Sequence, residues 1–219
     1  MKAPAALSSH PDYAARGLNP ERLAAILEYA GGEVLDVGCG NGAYVLHLAD
    51  RLRIRGVDYR TFDAWVARPE LFSVSDAQQL TLPDNAVDTI LSFETLEHLP
   101  DPSKAMAEYF RVCRQGLILT VPNCDLTPGM RGSGIIFNHW IDRTHVNFWD
   151  VDSIAELVAQ SGFRIRLKAH INQINLSPFF AEALGLRDRR ARLFGKLFKR
   201  LQRRTYPMTC LVVADKIPS

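Results

Sequence analysis

The chain has 219 residues, 47% of them hydrophobic, and a formal charge of +2, enough to bury one sizeable core and too few for two ordinary domains. No apolar run approaches the ~20 residues that span a bilayer, and the first ten lack the apolar centre of a secretory leader, so a cytoplasmic protein is expected. Cys39, Cys113, Cys124 and Cys210 show no CxxC spacing, which argues against a zinc site or a disulfide framework.

After an N-terminal extension (1–19), Pro20 opens an amphipathic helix with Asn19 as N-cap, Leu23, Ile26 and Leu27 on one face, and Gly31-Gly32 as its stop. Glu33 to Val37 reads as a short buried strand, followed by a glycine-rich turn and a helix from Ala43 to Arg51. Leu52 to Val57 is a second strand ending in Asp58, and a short helix over Phe62 to Ala67 leads to a third strand at Leu71 to Ser75. Val87 to Phe93 is a fourth, apolar strand; Pro102 to Cys113 is a helix; Gln115-Gly116 turns into strand Leu117 to Val121, stopped by Pro122. Strands alternating with helices in this way predict βαβ units and a parallel sheet.

The second half begins with a loop over 123–149 that is long for a connector and is therefore a candidate substrate-side element. A helix over Val151 to Gln160 follows, with Asp150 or Asp152 near its N-cap and Gly162 near its C-cap. Phe163 to Ala169 and Met208 to Ala214 read as two further strands, with a basic, helical insertion (176–205) before the last.

The run Val34-Leu35-Asp36-Val37-Gly38-Cys39-Gly40-Asn41-Gly42 leaves the first strand and opens the next helix. Glycines let a backbone turn sharply and approach a ligand, while a helix N-terminus offers unpaired N–H groups. Tight βα turns also need glycine for structural reasons alone. Asp58 ends the second strand, where a carboxylate can accept from both hydroxyls of a ribose, and Asp76-Ala77 follows the third, where an Asp can accept from an adenine amino group. All three features fall at carboxyl ends of strands, where open α/β sheets bind ligands.

VLDVGCGNG resembles motif I of the class I S-adenosylmethionine (SAM)-dependent methyltransferases: it is GxGxG preceded by Asp-Val, not the GxGxxG of NAD-binding dehydrogenases. The order that follows is also similar to that family's small-molecule type: Asp76, Leu-Pro-Asp, Val-Asp entering the fourth strand, then Glu-His-Leu. Arg114-Gln115-Gly116 stands where the family usually has Pro-Gly-Gly. The resemblance covers about residues 20 to 175 and implies a doubly wound, Rossmann-like sheet of seven mostly parallel strands, the last antiparallel, in one domain. It implies SAM as cofactor. Gly38, Gly40 and Gly42 would approach its methionine part, Asp36 would orient that loop and help receive the amino group, Asp58 would bind the ribose, Asp76 and Ala77 the adenine, and Glu94 would line the methionine end.

A SAM-dependent enzyme needs a base only when its acceptor carries a proton that must leave. Candidates cluster in the run from His139 to His145. His145 is the first choice as base or substrate contact, with Asp142 as its orienting partner; a structural histidine bonding the loop backbone is the other reading. His139 is a weaker candidate. Phe137, Trp140, Phe148 and Trp149 form either an aromatic substrate wall or packing under the loop. Glu94-Thr95-Leu96-Glu97-His98 is similar to the stretch of ubiquinone-biosynthesis O-methyltransferases where acidic and histidine side chains can hold a divalent metal. One Glu-His pair without a defined third ligand does not make a metal site, and none is expected here.

Arg187 to Arg204 carries a charge of +8, and the remaining residues sum to −6. Leu193, Phe194, Leu197, Phe198 and Leu201 recur there at helical spacing among Arg and Lys. Such a helix either packs on the domain with a solvated basic side or meets an anionic membrane through residues 189–204, placing the protein peripherally at the inner membrane face. Nucleic-acid phosphates are a third partner, disfavoured by large apolar residues in the basic stripe.

The function expected is methyl transfer to a small-molecule acceptor, an oxygen on a lipid-linked or sugar-containing metabolite. Methylation of RNA or protein is the second reading; Phe93-Glu94-Thr95-Leu96 stands where an Asn/Asp-Pro-Pro-Tyr motif would favour it. A SAM-binding, non-catalytic partner subunit is the third, and the retained glycine turn, Asp58 and Asp76 argue against it.

Overall fold

The computed structural model describes residues 18–133, 142–201 and 206–217. Strands β1 (Glu33–Val37), β2 (Arg53–Asp58), β3 (Phe72–Val74), β4 (Val87–Phe93), β5 (Cys113–Pro122), β6 (Phe163–Gln173) and β7 (Pro207–Lys216) form one sheet in the order β3-β2-β1-β4-β5-β7-β6. Neighbours from β3 through β5 pair in parallel, and β7 runs antiparallel to both β5 and β6. The chain order reverses between β1 and β4, so their carboxyl ends flank the crevice where this architecture takes ligands.

Among the described residues, seven helices accompany the sheet: α1 (Pro20–Tyr29), α2 (Ala43–Leu48), α3 (Pro102–Val112), α4 (Pro128–Ser133), α5 (Val151–Gln160), α6 (Ser177–Ala183) and α7 (Asp188–Leu201). Period-two alternation along the strands sorts the core into two layers. Leu35, Val37, Ile90, Leu117 and Val212 pack with Met106 and Tyr109 of α3 and Ile154 and Val158 of α5. Val34, Leu91, Phe93, Ile118 and Val213 pack with Ala25 and Ile26 of α1 and Val45 and Leu48 of α2. β4, buried at all seven positions, lies between the layers.

Local signals account for the helix starts. Asn19 Oδ1 accepts from the amides of Glu21 (2.9 Å) and Arg22 (3.0 Å) at the head of α1. Asp150 and Ser153 form a reciprocal capping box on α5.

Four expected boundaries move. The helix expected over Phe62 to Ala67 is a single 3₁₀ turn, Asp63–Ala67, with Pro69 close behind it and no room for a second α turn. The helix after the glycine turn stops at Leu48, and Arg51 and Leu52 bond back to the Leu48 carbonyl. No turn forms at Gln115-Gly116, because β5 starts at Cys113 and shifts register against β4 between Val87 and Thr89. Arg114 and Gln115 instead grip Asp88, with Arg114 Nε and Nη2 at 2.7 and 2.9 Å and Gln115 Nε2 at 3.0 Å. β6 and β7 outrun the expected strands because they pair with each other as far as Gln173 and Pro207.

The loop over 123–149 is closed at its base by a bridge between Asn123 and Trp149, and it carries α4. Phe137, His139 and Trp140 lie outside the described residues. The expected insertion contains α6 and α7.

Candidate active site

β1 delivers Asp36 into the crevice, and the glycine turn begins one residue after Val37. The amides of Gly38 and Cys39 both donate to Val57 O, at 2.9 and 3.1 Å, which ties the turn to β2. Gly40 has φ of +55°, and a Cβ built there would meet nothing within 4 Å. The backbone conformation, rather than space, therefore demands glycine at this position. Its amide donates to Asp58 Oδ2 at 2.8 Å. Gly42 differs: a Cβ there would lie 2.4 Å from the Phe72 ring, so its lack of a side chain lets α2 close on the sheet.

Asp58 is buried, and its second oxygen, Oδ1, has no hydrogen-bond partner among the described residues. Burial raises its carboxyl pKa, and the amides of Gly40, Tyr59 and Arg60, with the Arg60 charge, pull the other way. Trp65 completes this corner, donating from Nε1 to Gly40 O at 2.9 Å while its ring stacks on Phe72 at 4.9 Å and 7°. Sequence reasoning did not single out Trp65; the available signal was an aromatic pair, Phe62 and Trp65, shortly after an acidic strand end. Asp76 lies beyond the end of β3, exposed, with Oδ1 accepting from the Gln78 amide at 2.8 Å. Ala77 packs its methyl group into the core.

Asp36 is almost fully buried, and burial, reinforced by the nearby Asp58 charge, pushes its carboxyl up to about 7. A cation entering the crevice would favour its ionised form. Glu94, the first residue after β4, holds a left-handed backbone with φ of +53°. Its Oε1 accepts from Arg22 Nη2 at 2.5 Å and from Thr120 Oγ1 at 3.1 Å. The Arg22 guanidinium also lies 5.5 Å from the Phe93 ring centroid, so α1 closes one side of the crevice. Arg22 was missed in the sequence because its partner is 72 residues away.

A second group of side chains forms where the loop over 123–149 returns to the 3₁₀ turn Leu96–His98. Glu97 O accepts from the amides of Val146 and Asn147, at 2.8 and 3.2 Å, and Asn147 Nδ2 donates to Leu96 O and Leu99 O. These bonds seat the loop so that His145 lies inside, its ring 4.7 Å from that of His98 and nearly perpendicular to it. His145 Nε2 is 3.6 Å from Asp142 Oδ2, the pairing anticipated from sequence. Burial pulls the Asp142 carboxyl upward, yet bonds from the Thr144 hydroxyl and amide, helped by the two histidines, hold it below its usual value. His98 Nδ1 lies 3.0 Å from Thr144 Oγ1, which in turn donates to Asp142 Oδ1 at 2.7 Å.

Glu97 is buried with no hydrogen-bond partner for either carboxylate oxygen among the described residues. Burial, with the neighbouring Glu94 charge, holds its carboxyl well above the usual range. Glu97, His98 and His145 present ligand atoms within 4.8 Å of one another. The structure thus supplies a third residue beside the Glu-His pair that sequence alone left incomplete. Chemically the cluster can relay a proton or hold a cation. Trp149 packs against the core, whereas Phe148 remains exposed.

The seven-strand order with a reversed β7, and a glycine turn backed by acidic strand ends, define a Rossmann-like protein with its ligand crevice at β1 and β4. A family profile described as a methyltransferase domain matches residues 12–168. The chain belongs to the class I SAM-dependent methyltransferase family.

It is 30% identical over 125 residues to a 27-O-demethylrifamycin SV methyltransferase of Amycolatopsis mediterranei, covering 51% of this chain and 46% of that protein. It is 33% identical over 150 residues to a ubiquinone biosynthesis O-methyltransferase of Pasteurella multocida, covering 58% and 55%. A SAM-dependent methyltransferase of Archaeoglobus fulgidus superposes with a TM-score of 0.64 over 90% of this chain and 92% of that one, at 19% identity, a likeness of fold. The chain spans about half the length of the curated relatives it matches. No described helix is long and apolar enough to cross a membrane.

Proposed function

We propose that this chain transfers a methyl group from SAM to an oxygen nucleophile on a small, lipid-linked or sugar-containing molecule. One observation carries the placement of the donor: among the described residues, a buried carboxylate oxygen of Asp58 has no hydrogen-bond partner beside an open glycine turn. A buried acceptor left in that state is costly unless a ligand donor meets it, and ribose hydroxyls are donors of the right kind. Asp36, Gly38, Gly40 and Glu94 would receive the methionine end, with Asp76 and Ala77 toward the adenine. The bound sulfonium supplies an electrophilic methyl group, so the protein's task is placement and exclusion of water.

An oxygen acceptor must also lose its proton. His145 would take it at a ring nitrogen, and Asp142 would stabilise the resulting imidazolium. Relatives named for O-methylation support an oxygen acceptor, others are named for N-methylation, and the His145–Asp142 pair, which suits removal of a hydroxyl proton, tips the reading to oxygen. The test is transfer of labelled methyl groups to phenolic lipids, hydroxylated glycans and their water-soluble analogues. Label should appear in a small molecule and vanish when its hydroxyl is capped. Label appearing only in RNA or protein would overturn the acceptor assignment.

A further inference from the structure

α7 packs on the molecule by one side. The Phe194 and Phe198 rings meet at a tilt, Phe198 meets Phe180 of α6 with ring centroids 5.2 Å apart, and a Cβ on Gly195 would lie 3.2 Å from the Ser177 hydroxyl. Leu193, Leu197 and Leu201 do not share that side: they are 70%, 56% and 67% exposed. Spaced four residues apart, they form a continuous stripe along the helix. Phe179 of α6 and Leu184 at its C-terminal end are also exposed. Thirteen large hydrophobic residues are exposed among the described residues, and six of them fall between 179 and 201. Apolar residues scattered singly need no explanation; a stripe does.

The charge beside the stripe identifies what covers it. At 3.6 residues per turn, Arg189, Arg192, Lys196, Lys199 and Arg200 fill the arc next to the leucines, and Arg190 lies at the stripe's N-terminal end. Asp188 is the single acidic residue of the helix. A second copy of the chain would bring one such arc against another, which like charges oppose. A polyphosphate strand would satisfy the cations and leave the leucines in water. A bilayer with anionic headgroups satisfies both: the leucines enter the acyl boundary while the long basic side chains reach the headgroups.

The position in the fold gives the patch a purpose. β6 ends and β7 begins side by side, with Gln173 opposite Pro207, and the insertion rises between them. Asn123, directly after β5, bonds to Met208 O at 2.8 Å and Pro207 O at 3.0 Å. Thr120 of the same strand bonds Glu94. The insertion therefore stands on the sheet edge that carries the candidate site.

We infer that the α6–α7 insertion is an interfacial membrane anchor, which docks the candidate site against an anionic bilayer and gives it access to a lipid-embedded acceptor. The access rests on the methyl-transfer reading; the docking does not.

Flotation of the full chain with phosphatidylcholine vesicles, with and without phosphatidylglycerol, tests it at about 0.1 M salt, where charges act over about 10 Å. The protein should float with the phosphatidylglycerol vesicles, stay behind with phosphatidylcholine alone, and detach in about 1 M salt. A variant with Arg192→Gln, Lys196→Gln and Lys199→Gln should bind on the order of 100-fold more weakly. A variant with Leu193→Gln, Leu197→Gln and Leu201→Gln should lose at least roughly tenfold. Both variants alter exposed side chains, and unchanged SAM binding would report an intact fold. Absence of flotation at low salt, flotation indifferent to both variants, or a concentration-dependent dimer abolished by the leucine variant would each overturn the anchor. If the wild type floats but methylates nothing, the docking stands and the catalytic reading fails separately.

Discussion

The glycine-turn corner and the α6–α7 insertion stand on the same sheet edge and are built in opposite ways. In the first, partly buried polar groups are held: Gly40 by Asp58 and Trp65, Glu94 by Arg22 and Thr120. In the second, large apolar groups are exposed and cations crowd beside them. Unpartnered buried oxygens imply a polar ligand that enters, whereas an unpartnered apolar stripe implies a surface that is met. The contrast sets a candidate cofactor corner, built of held polar groups, against the surface proposed above to meet an anionic bilayer.

The sharpest way to divide the two regions is to disable chemistry without touching either. His145→Ala should lower turnover by about 10²–10⁴-fold while SAM affinity and vesicle binding stay near wild type. Unchanged turnover would remove His145 from the mechanism. Loss of turnover on chelation, restored by a divalent ion, would make it a ligand rather than a base.

Asp58→Ala attacks the cofactor corner alone. It removes the acceptor proposed for two ribose hydroxyls and frees the Gly40 amide, so SAM affinity measured by calorimetry should fall on the order of 100-fold, with flotation unaffected. A fall of less than threefold would mean that the carboxylate serves only the turn.

Proton linkage sharpens the comparison further. The Asp36 carboxyl is raised to about 7, so its stabilising effect on the unliganded fold is full below 3.8 and is lost as pH rises through about 7. A cationic ligand reverses the preference: SAM should bind about tenfold more weakly for each pH unit below 7, and Asp36→Asn should flatten that dependence. A pH-independent affinity in the wild type would place the cation elsewhere. The basic insertion should show salt dependence and no such pH dependence near neutrality.

The smallest effect lies away from both regions. Arg114, chiefly through its hydrogen bonds, holds the Asp88 carboxyl at about 2, which contributes stability above 3.8 that is lost as pH falls through about 2. Arg114→Gln should lower Tm by roughly 2–6 °C at neutral pH and leave SAM and vesicle binding intact. A change in SAM affinity would show that the β4–β5 junction communicates with the crevice.

Much of the fold around the glycine turn was legible because its signals are local. Glu33–Val37 and Val151–Gln160 have the bounds expected from sequence, one a short apolar run stopped by glycine and the other marked by aspartates near its N-cap and Gly162 near its C-cap. Arg22 and Trp65 were not legible: an arginine on an amphipathic helix and a tryptophan in a short turn become site residues only when β4 and the glycine turn arrive beside them. Asp142 is expected as an orienting partner of His145 from their nearness in one loop, and the two side chains do lie together, whereas the approach of His145 to Glu97 and His98 depends on loop-to-turn hydrogen bonds across the fold. The turn expected at Gln115-Gly116 failed for the same reason, since Asp88 on another strand decides what Arg114 does.

The most direct trial of the central claim is a crystal structure with S-adenosylhomocysteine. Density should lie over the Gly38–Gly42 turn, with both ribose hydroxyls within hydrogen-bonding distance of Asp58 and the amino acid end between Asp36 and Glu94. Ligand bound elsewhere, or a crevice closed by Trp65 at saturating ligand, would contradict it.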